Sequence, residues 1–239
     1  MALPKLKIPL FDVTVPSTGK DAKFRPFLVK EEKILLMAQQ SGDKKTIINS
    51  LQQILNNCMA SIDGKKLDVD KFTTFDIEYL FLKIRAKSVD NIVELVYTDN
   101  EDGKENKFKV SLDDIEIKHD PDHTNKIKVN DEVGLILKYP TATELNAFDE
   151  NLNIGEIAVE VVKTCLLQVY DKDEVYEVKD ASKEELNEFV DSLPHSAYES
   201  IQKFIDTMPK MYHKIEYKNS VGTDRVIELT SLEDFFTLA

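Results

Sequence analysis

The chain has 239 residues, of which 42% are hydrophobic and 31% are charged, a composition typical of a folded globular protein. Its 44 acidic and 31 basic side chains give a formal net charge of −13 at pH 7, which argues against binding to nucleic acid or to an anionic membrane. The sequence contains no long apolar run of the kind found in membrane-spanning helices or signal peptides. These features predict a cytoplasmic protein.

Residues 1–88 are predicted to form an N-terminal unit, a β-hairpin followed by three helices. The hairpin is expected over residues 10–28, around a turn at 16–19. The first two helices are separated by Ser41-Gly42-Asp43, and Asp63-Gly64 is predicted to be a turn. The third helix begins near Thr73, with Asp76 three residues later as in a capping box. Because it is apolar on almost every side, it is expected at the centre of the N-terminal core.

Residues 89–139 change from a helical to an alternating pattern and are predicted to form a central β-hairpin segment. Two alternating runs, 93–97 and 108–112, flank the polar loop 99–103, as in a hairpin. Further β character lies at 115–117, 127–129 and 135–137. The Tyr139-Pro140 step is the predicted domain boundary, since a residue before proline disfavours helix.

Residues 140–239 are predicted to form a helical region that ends in a β-hairpin. Capping boxes are expected at Thr141/Glu144 and at Ser182/Glu185, and residues 154–165 form an amphipathic stripe. A strand at 166–170, a helix after Pro194 and a hairpin over 212–229 complete the region. Ser231 is expected to cap a last turn that carries Leu232, Phe235 and Phe236. The predicted fold class is therefore α+β, with helical N-terminal and C-terminal parts around a central antiparallel β segment.

Catalytic and cofactor-binding motifs are absent from the sequence, so no catalytic residue, cofactor or metal ion is expected. The segment 119–123 holds two histidines and two aspartates, but its spacing fits no metal-site template and Pro121 indicates a loop. A solvated loop is the favoured interpretation, and a metal-dependent hydrolase that uses this loop is an alternative. Cys58 and Cys165 lie in apolar helical contexts and are predicted to be buried, which excludes a disulfide framework.

Three segments carry a family resemblance. They are FRPF at 24–27 running into EEKILLMA at 31–38, TFDIEYLFLKIRAKSV at 74–89, and FIDTMPK at 204–210 followed by a hairpin and LEDFF at 232–236. Together they resemble the baseplate hub assembly protein family of T-even-type contractile-tailed bacteriophages, over roughly residues 20–236. The resemblance implies a C-terminal hairpin that carries a Cys-x-x-Cys pair in several relatives. Here the corresponding turn, 218–224, has no cysteine, so packing alone is expected to stabilise it.

The resemblance implies a non-enzymatic protein that forms part of the tail baseplate hub or helps to assemble it. Its partners would be other phage baseplate hub or tail proteins, and it would act in the host bacterial cytoplasm and in the virion tail baseplate. A first alternative is a tail assembly chaperone for hub or tape-measure proteins that is absent from the mature particle. An acidic adaptor unrelated to phage is a further alternative.

Arg25, Arg85 and Lys87 are the predicted partner-binding residues. Their segments are expected to form one N-terminal unit, on which these three residues would make a basic spot available to acidic groups of a partner. The alternative is internal pairing of the two arginines with Glu31, Glu32 or Glu78.

Overall fold

A computed structural model describes residues 6–60 and 67–235. The chain divides into two compact units, one made of Met1–Lys118 with Lys210–Ala239 and the other of His119–Pro209. The division into segments 1–88, 89–139 and 140–239 stays a prediction. The predicted turn at Asp63-Gly64 and the position of Phe236 lie outside the described residues.

The elements are numbered in chain order. The strands are β1 (Phe11–Val15), β2 (Lys20–Phe24), β3 (Ile92–Thr98), β4 (Glu105–Ser111), β5 (Glu116–Lys118), β6 (Lys126–Lys128), β7 (Gly134–Leu137), β8 (Leu166–Tyr170), β9 (Val175–Glu177), β10 (Lys210–Lys218) and β11 (Asp224–Leu229). The α-helices are α1 (Val29–Ser41), α2 (Lys44–Cys58), α3 (Thr74–Ser88), α4 (Ala142–Asn146), α5 (Ile154–Cys165), α6 (Lys183–Asp191) and α7 (His195–Asp206). Over the described residues the fold is mixed α+β, with helices at both ends around central strands, which confirms the predicted fold class.

Turn and capping residues close in sequence define the ends of the N-terminal hairpin and of the first two helices. β1 and β2 pair antiparallel, and Gly19 takes a φ of 64° in the turn between them. Gly42 ends α1 with a φ of 65°, in the left-handed region that favours glycine, and the Asp43 side chain accepts a hydrogen bond from the Thr46 N–H at the start of α2.

Helix α3 packs against α2, β1 and β10 in the first unit. Thr73 and Asp76 form the predicted capping box, with bonds of 3.0 and 3.1 Å. The buried Asp76 carboxylate also accepts the Ser17 N–H at 2.8 Å, so it links the β1–β2 turn to α3. The helix is buried on several sides, through Phe75, Ile77, Leu80, Phe81, Leu82 and Ile84.

The remaining strands of the first unit come from distant parts of the chain. β3 pairs with β4, while β10 lies between β11 and β5 in a three-stranded antiparallel sheet. The core of this region combines Leu82, Leu95, Val110, Leu112, Ile115, Met211, Leu229 and Phe235. At the last turn, the Asp234 carboxylate accepts the N–H groups of Thr230 and Ser231. The cap is therefore the carboxylate of Asp234 and not the predicted Ser231 hydroxyl.

The second unit is a four-stranded antiparallel sheet of order β6-β7-β8-β9 with helices α4 to α7. Its core contains Ile127, Leu135, Leu137, Val162, Cys165, Leu166, Ile201 and Phe204. The capping boxes of α4 and α6 are those predicted. Only the C-terminal half of the α5 stripe enters the core, since Ile154 is 88% exposed.

Candidate interaction surface

The start of α1 and the end of α3 meet at an exposed apolar surface. The Phe27 N–H donates to Ser88 Oγ at 2.8 Å, and the Phe27 and Phe81 rings pack with centroids 5.6 Å apart. Leu28, Val29 and Val89 lie within two residues of this hydrogen bond and are all exposed, the two valines at 69% each. We call these three residues with Phe27 and Ser88 the α1–α3 junction. Grouped exposed apolar side chains are typical of contact surfaces.

The three predicted basic residues are close in sequence to the two residues of this hydrogen bond, and their grouping as one basic spot stays a prediction. Arg25 precedes Phe27 by two residues, and Arg85 and Lys87 lie in the last turn of α3. The exposure of the apolar residues of the junction was not predicted, because the sequence of a helix end does not show which other segments cover it.

Arg25 is paired internally. Its Nη2 lies 2.9 Å from Glu31 Oε1 and its Nη1 3.2 Å from Oε2, while the Leu28 N–H donates to Oε2 at 2.9 Å. The Glu31 side chain is fully buried. Burial acts to raise the pKa of Glu31, but the hydrogen bonds from Arg25, Leu28 and Lys30 outweigh it, so the pKa is lowered. The same hydrogen bond raises the pKa of Arg25. This is one of the pairs that the alternative interpretation named.

The two α3 cations differ from each other. Lys87 Nζ donates to both carboxylate oxygens of Asp113, at 3.0 and 3.2 Å, and Asn91 donates to the same group. These bonds, Lys87 first, lower the pKa of Asp113 against a smaller effect of burial. Arg85 is half-buried, and its burial lowers its pKa although the Asp90 carboxylate opposes that shift. The junction is therefore an apolar surface with charged neighbours rather than a free basic spot.

Nearby on α3, Lys83 ties the helix to the segment after β4. Its ammonium group donates to the carbonyl oxygens of Leu112, Asp113 and Ile115 at 2.9–3.1 Å. Burial lowers the pKa of Lys83, against the attraction of nearby carboxylates. Three carbonyl acceptors satisfy all three donors of a lysine, so this contact holds the end of α3 in place beside the junction.

The C-terminal hairpin is held by carboxylates of the β3–β4 turn. The fully buried Asp99 accepts from the Tyr217 hydroxyl and from Arg225 Nε, the latter at 3.1 Å. Glu101 accepts from Asn219 at 2.7 Å. Asp102 accepts from both the N–H and the hydroxyl of Ser220. The expectation that packing alone stabilises this turn is corrected, because hydrogen bonds to three carboxylates also hold it.

The comparison with known proteins decides the family. A family model described as T4 bacteriophage base plate protein matches residues 8–237, which is nearly the whole chain. The chain belongs to this family. No curated protein and no solved structure matches it significantly.

Membership gives this base plate protein a structural role in the phage tail baseplate, in contact with other phage baseplate proteins. Among its described helices, none is both long and apolar enough to cross a membrane. The α1–α3 junction is thus a candidate contact surface within a multiprotein assembly.

The histidine-rich loop of the base plate protein directs one histidine inward. The His123 ring stacks on Tyr139 and Phe204, with centroids 5.6 and 4.9 Å away. Its Nδ1 lies 2.8 Å from Thr207 Oγ1 and its Nε2 2.9 Å from the Tyr139 hydroxyl. Because the Thr207 hydroxyl donates to the Lys203 carbonyl, Nδ1 must carry the hydrogen and Nε2 must accept from Tyr139. Burial lowers the pKa of His123.

The structure also shows where the other residues of the histidine-rich loop and the two cysteines lie. His119, Asp120 and Asp122 are exposed, and within residues 6–60 and 67–235 no three His, Cys, Asp or Glu side chains are grouped to hold a metal ion. Cys58 and Cys165 are buried, as predicted. Burial raises the pKa of the two thiols to about 11 and about 12, so both remain protonated at neutral pH.

Proposed function

We propose that this base plate protein is a non-enzymatic component of the baseplate hub or a factor in its assembly, and that it acts through the α1–α3 junction. Family membership over residues 8–237 supports a baseplate role. The observation that carries the finer proposal is the junction itself, where Leu28, Val29 and Val89 are exposed together beside Arg25, Arg85 and Lys87.

The three basic residues have different parts in this proposal. Arg25 positions the surface, since its partner Glu31 also accepts the Leu28 N–H and so holds the start of α1. Arg85 and Lys87 lie at the edge of the apolar residues, where their charges favour a partner with acidic groups around an apolar centre.

Quantitative mass spectrometry of purified phage particles and of infected-cell lysate tests the role in the hub. A fixed small copy number per particle supports a hub component. Abundance in the lysate with none in the particle supports the assembly-factor form of the proposal, or the alternative of a tail assembly chaperone. Absence from both would contradict the proposed function.

A binding measurement tests the junction. Val29→Ser should weaken binding to the purified baseplate partner about tenfold, because it removes exposed apolar area from the junction. Val221→Ser is the matched control, since Val221 is 65% exposed and lies in the β10–β11 turn. Equal binding by both variants would show that the partner uses a different surface.

A further inference from the structure

The second unit carries a groove beside helix α5. It has a volume of about 690 Å³ and lies between the segment 147–153 and one side of the helix. Phe148, Leu152 and Val159 contribute apolar surface to it. The core of the unit includes Val162 and Cys165 of α5 but none of these three groove residues. Its apolar lining is therefore not part of that core.

The edge of the groove is acidic. Asp149, Glu156 and Glu160 line it, and in the part of the chain that the structure describes Lys163 is the one cation among the lining residues. Three carboxylates and one ammonium group leave the lining with a charge of −2. The Lys163 ammonium is bound to Glu160 at 2.8 Å. The groove thus combines apolar lining with an excess of negative charge.

Gly155 keeps one wall of the groove open. It lies in the first turn of α5, where glycine is a poor helix former. A Cβ built on Gly155 would meet only the Asn153 Oδ1 atom, at 3.3 Å, and otherwise open space. A longer side chain at this position would extend into the groove, so the open groove depends on the absence of a side chain at Gly155.

We propose that this groove binds an apolar segment flanked by lysine or arginine, contributed by another baseplate protein. The apolar lining removes aliphatic or aromatic side chains of that segment from water, and the carboxylates pair with its flanking cations. An acidic segment is excluded by repulsion from the same carboxylates. The proposal rests on the proposed function, because the partner is drawn from the baseplate.

The test uses the full chain and two variants with matched controls. Gly155→Met extends a side chain into the groove and removes a poor helix former, and its melting temperature is measured as well because the new Cβ lies 3.3 Å from the capping Asn153 Oδ1. Its control is Ser196→Met, at the same second position of α7, where Ser196 is exposed. Glu160→Gln removes one charge from the groove, and its control is Glu188→Gln, at an exposed position on α6.

The probes are the purified baseplate proteins of the same phage, assayed one at a time, and then overlapping synthetic peptides of any that bind. The bound peptides should carry apolar residues with flanking Lys or Arg. Gly155→Met should weaken their binding at least about tenfold and Glu160→Gln about threefold at low salt, with both controls unchanged. The Glu160→Gln effect should shrink as salt is added.

The outcomes separate the two proposals. If a baseplate protein binds the wild-type chain and both groove variants equally, or if acidic peptides bind best, the groove proposal is wrong while the proposed function stands. If no purified baseplate protein binds the wild-type chain, both are overturned.

Discussion

Arg225 Nε lies 3.1 Å from Asp99 Oδ2, although 126 positions separate the two residues. The same carboxylate group accepts the Tyr217 hydroxyl and the Glu101 N–H and is fully removed from solvent. This one side chain therefore joins the β3–β4 turn to the C-terminal hairpin.

We expect Asp99→Asn to lower the melting temperature by several degrees. The amide nitrogen of the asparagine would face N–H and O–H donors that the carboxylate accepts from, and a nitrogen that carries hydrogens cannot accept these bonds. Tyr217→Phe should have a smaller effect, since it removes one donor only. Thermal unfolding by circular dichroism measures both. An Asp99→Asn protein as stable as the wild type would show that the hydrogen bonds to Asp99 do not stabilise the hairpin.

The same carboxylate predicts a loss of stability in acid. Hydrogen bonds from Tyr217 and Glu101, with the charge of Arg225, lower the pKa of Asp99 below its ordinary value of 3.8 against the effect of burial. Its contribution is fully present above about pH 3.8 and is lost as the pH falls through the folded-state pKa. Asp99→Asn should therefore show a weaker dependence of unfolding free energy on pH in this acid range than the wild type shows.

Glu78 on α3 predicts the opposite pH dependence. Burial raises its pKa to about 7, with help from Glu233 and Asp234 and against a hydrogen bond from the Leu232 N–H. Because the folded-state pKa lies above 4.5, the stability from the protonated form is fully present below about pH 4.5 and is lost as the pH rises through about 7.

Glu78→Gln should therefore match the wild type near pH 4.5 and exceed its unfolding free energy by about 3 kcal/mol above pH 7. Urea unfolding across this range measures the difference. Glu32→Gln, at an exposed position on α1, is the control and should follow the wild-type curve. A constant difference between Glu78→Gln and the wild type at all pH values would contradict the raised pKa.

His123 should titrate below the ordinary histidine value. Burial lowers its pKa from 6.5, while the Asp120 carboxylate acts against that shift. The stability linked to the neutral ring is fully present above about pH 6.5 and is lost as the pH falls through the folded-state pKa. NMR titration of the His123 ring should give a midpoint below the value measured in urea. A midpoint at or above the urea value would contradict the buried, Nδ1-protonated ring.

Local signals in the sequence predicted most elements, and contacts between distant segments were not predictable. The Thr73/Asp76 capping box and the Gly42 stop lie within a few residues of the helix ends that they define, so a single sequence contains them. The pairing of β5 with β10 joins residues about 90 positions apart. The alternation of apolar and polar residues predicts a strand but not the strand with which it pairs. Strand β9 was not predicted from the sequence, although the equally short β5 and β6 were.

The candidate site shows the same limit. Arg25, Arg85 and Lys87 were selected as a basic spot, and they flank the Phe27–Ser88 hydrogen bond in sequence. Arg25 and Lys87 pair internally with Glu31 and Asp113, and only Glu31 was named among the alternatives. Val29 and Val89 are exposed because, among the described residues, no distant segment covers them in the folded chain. The sequence alone does not contain that information.

The Arg25–Glu31 pair predicts a stability defect that is separable from binding. Arg25→Met removes the bidentate partner of the buried Glu31 carboxylate, leaves it with the more exposed Lys30 ammonium at 3.3 Å, and should cost about 3 kcal/mol of unfolding free energy. The double variant Arg25→Met with Glu31→Leu should recover most of that loss, because no charge is then buried. Urea unfolding of the two variants and of Glu31→Leu alone completes the cycle.

Arg85→Ala provides the complementary measurement at the junction. If Arg85 contacts the partner, the affinity of the variant for a purified baseplate partner should be about fivefold lower than that of the wild type. Its affinity should also depend less on salt. Lys109→Ala is the control, since Lys109 is an exposed cation on β4 that pairs with Glu94. A lowered melting temperature with unchanged binding would show that Arg85 stabilises α3 and takes no part in partner recognition.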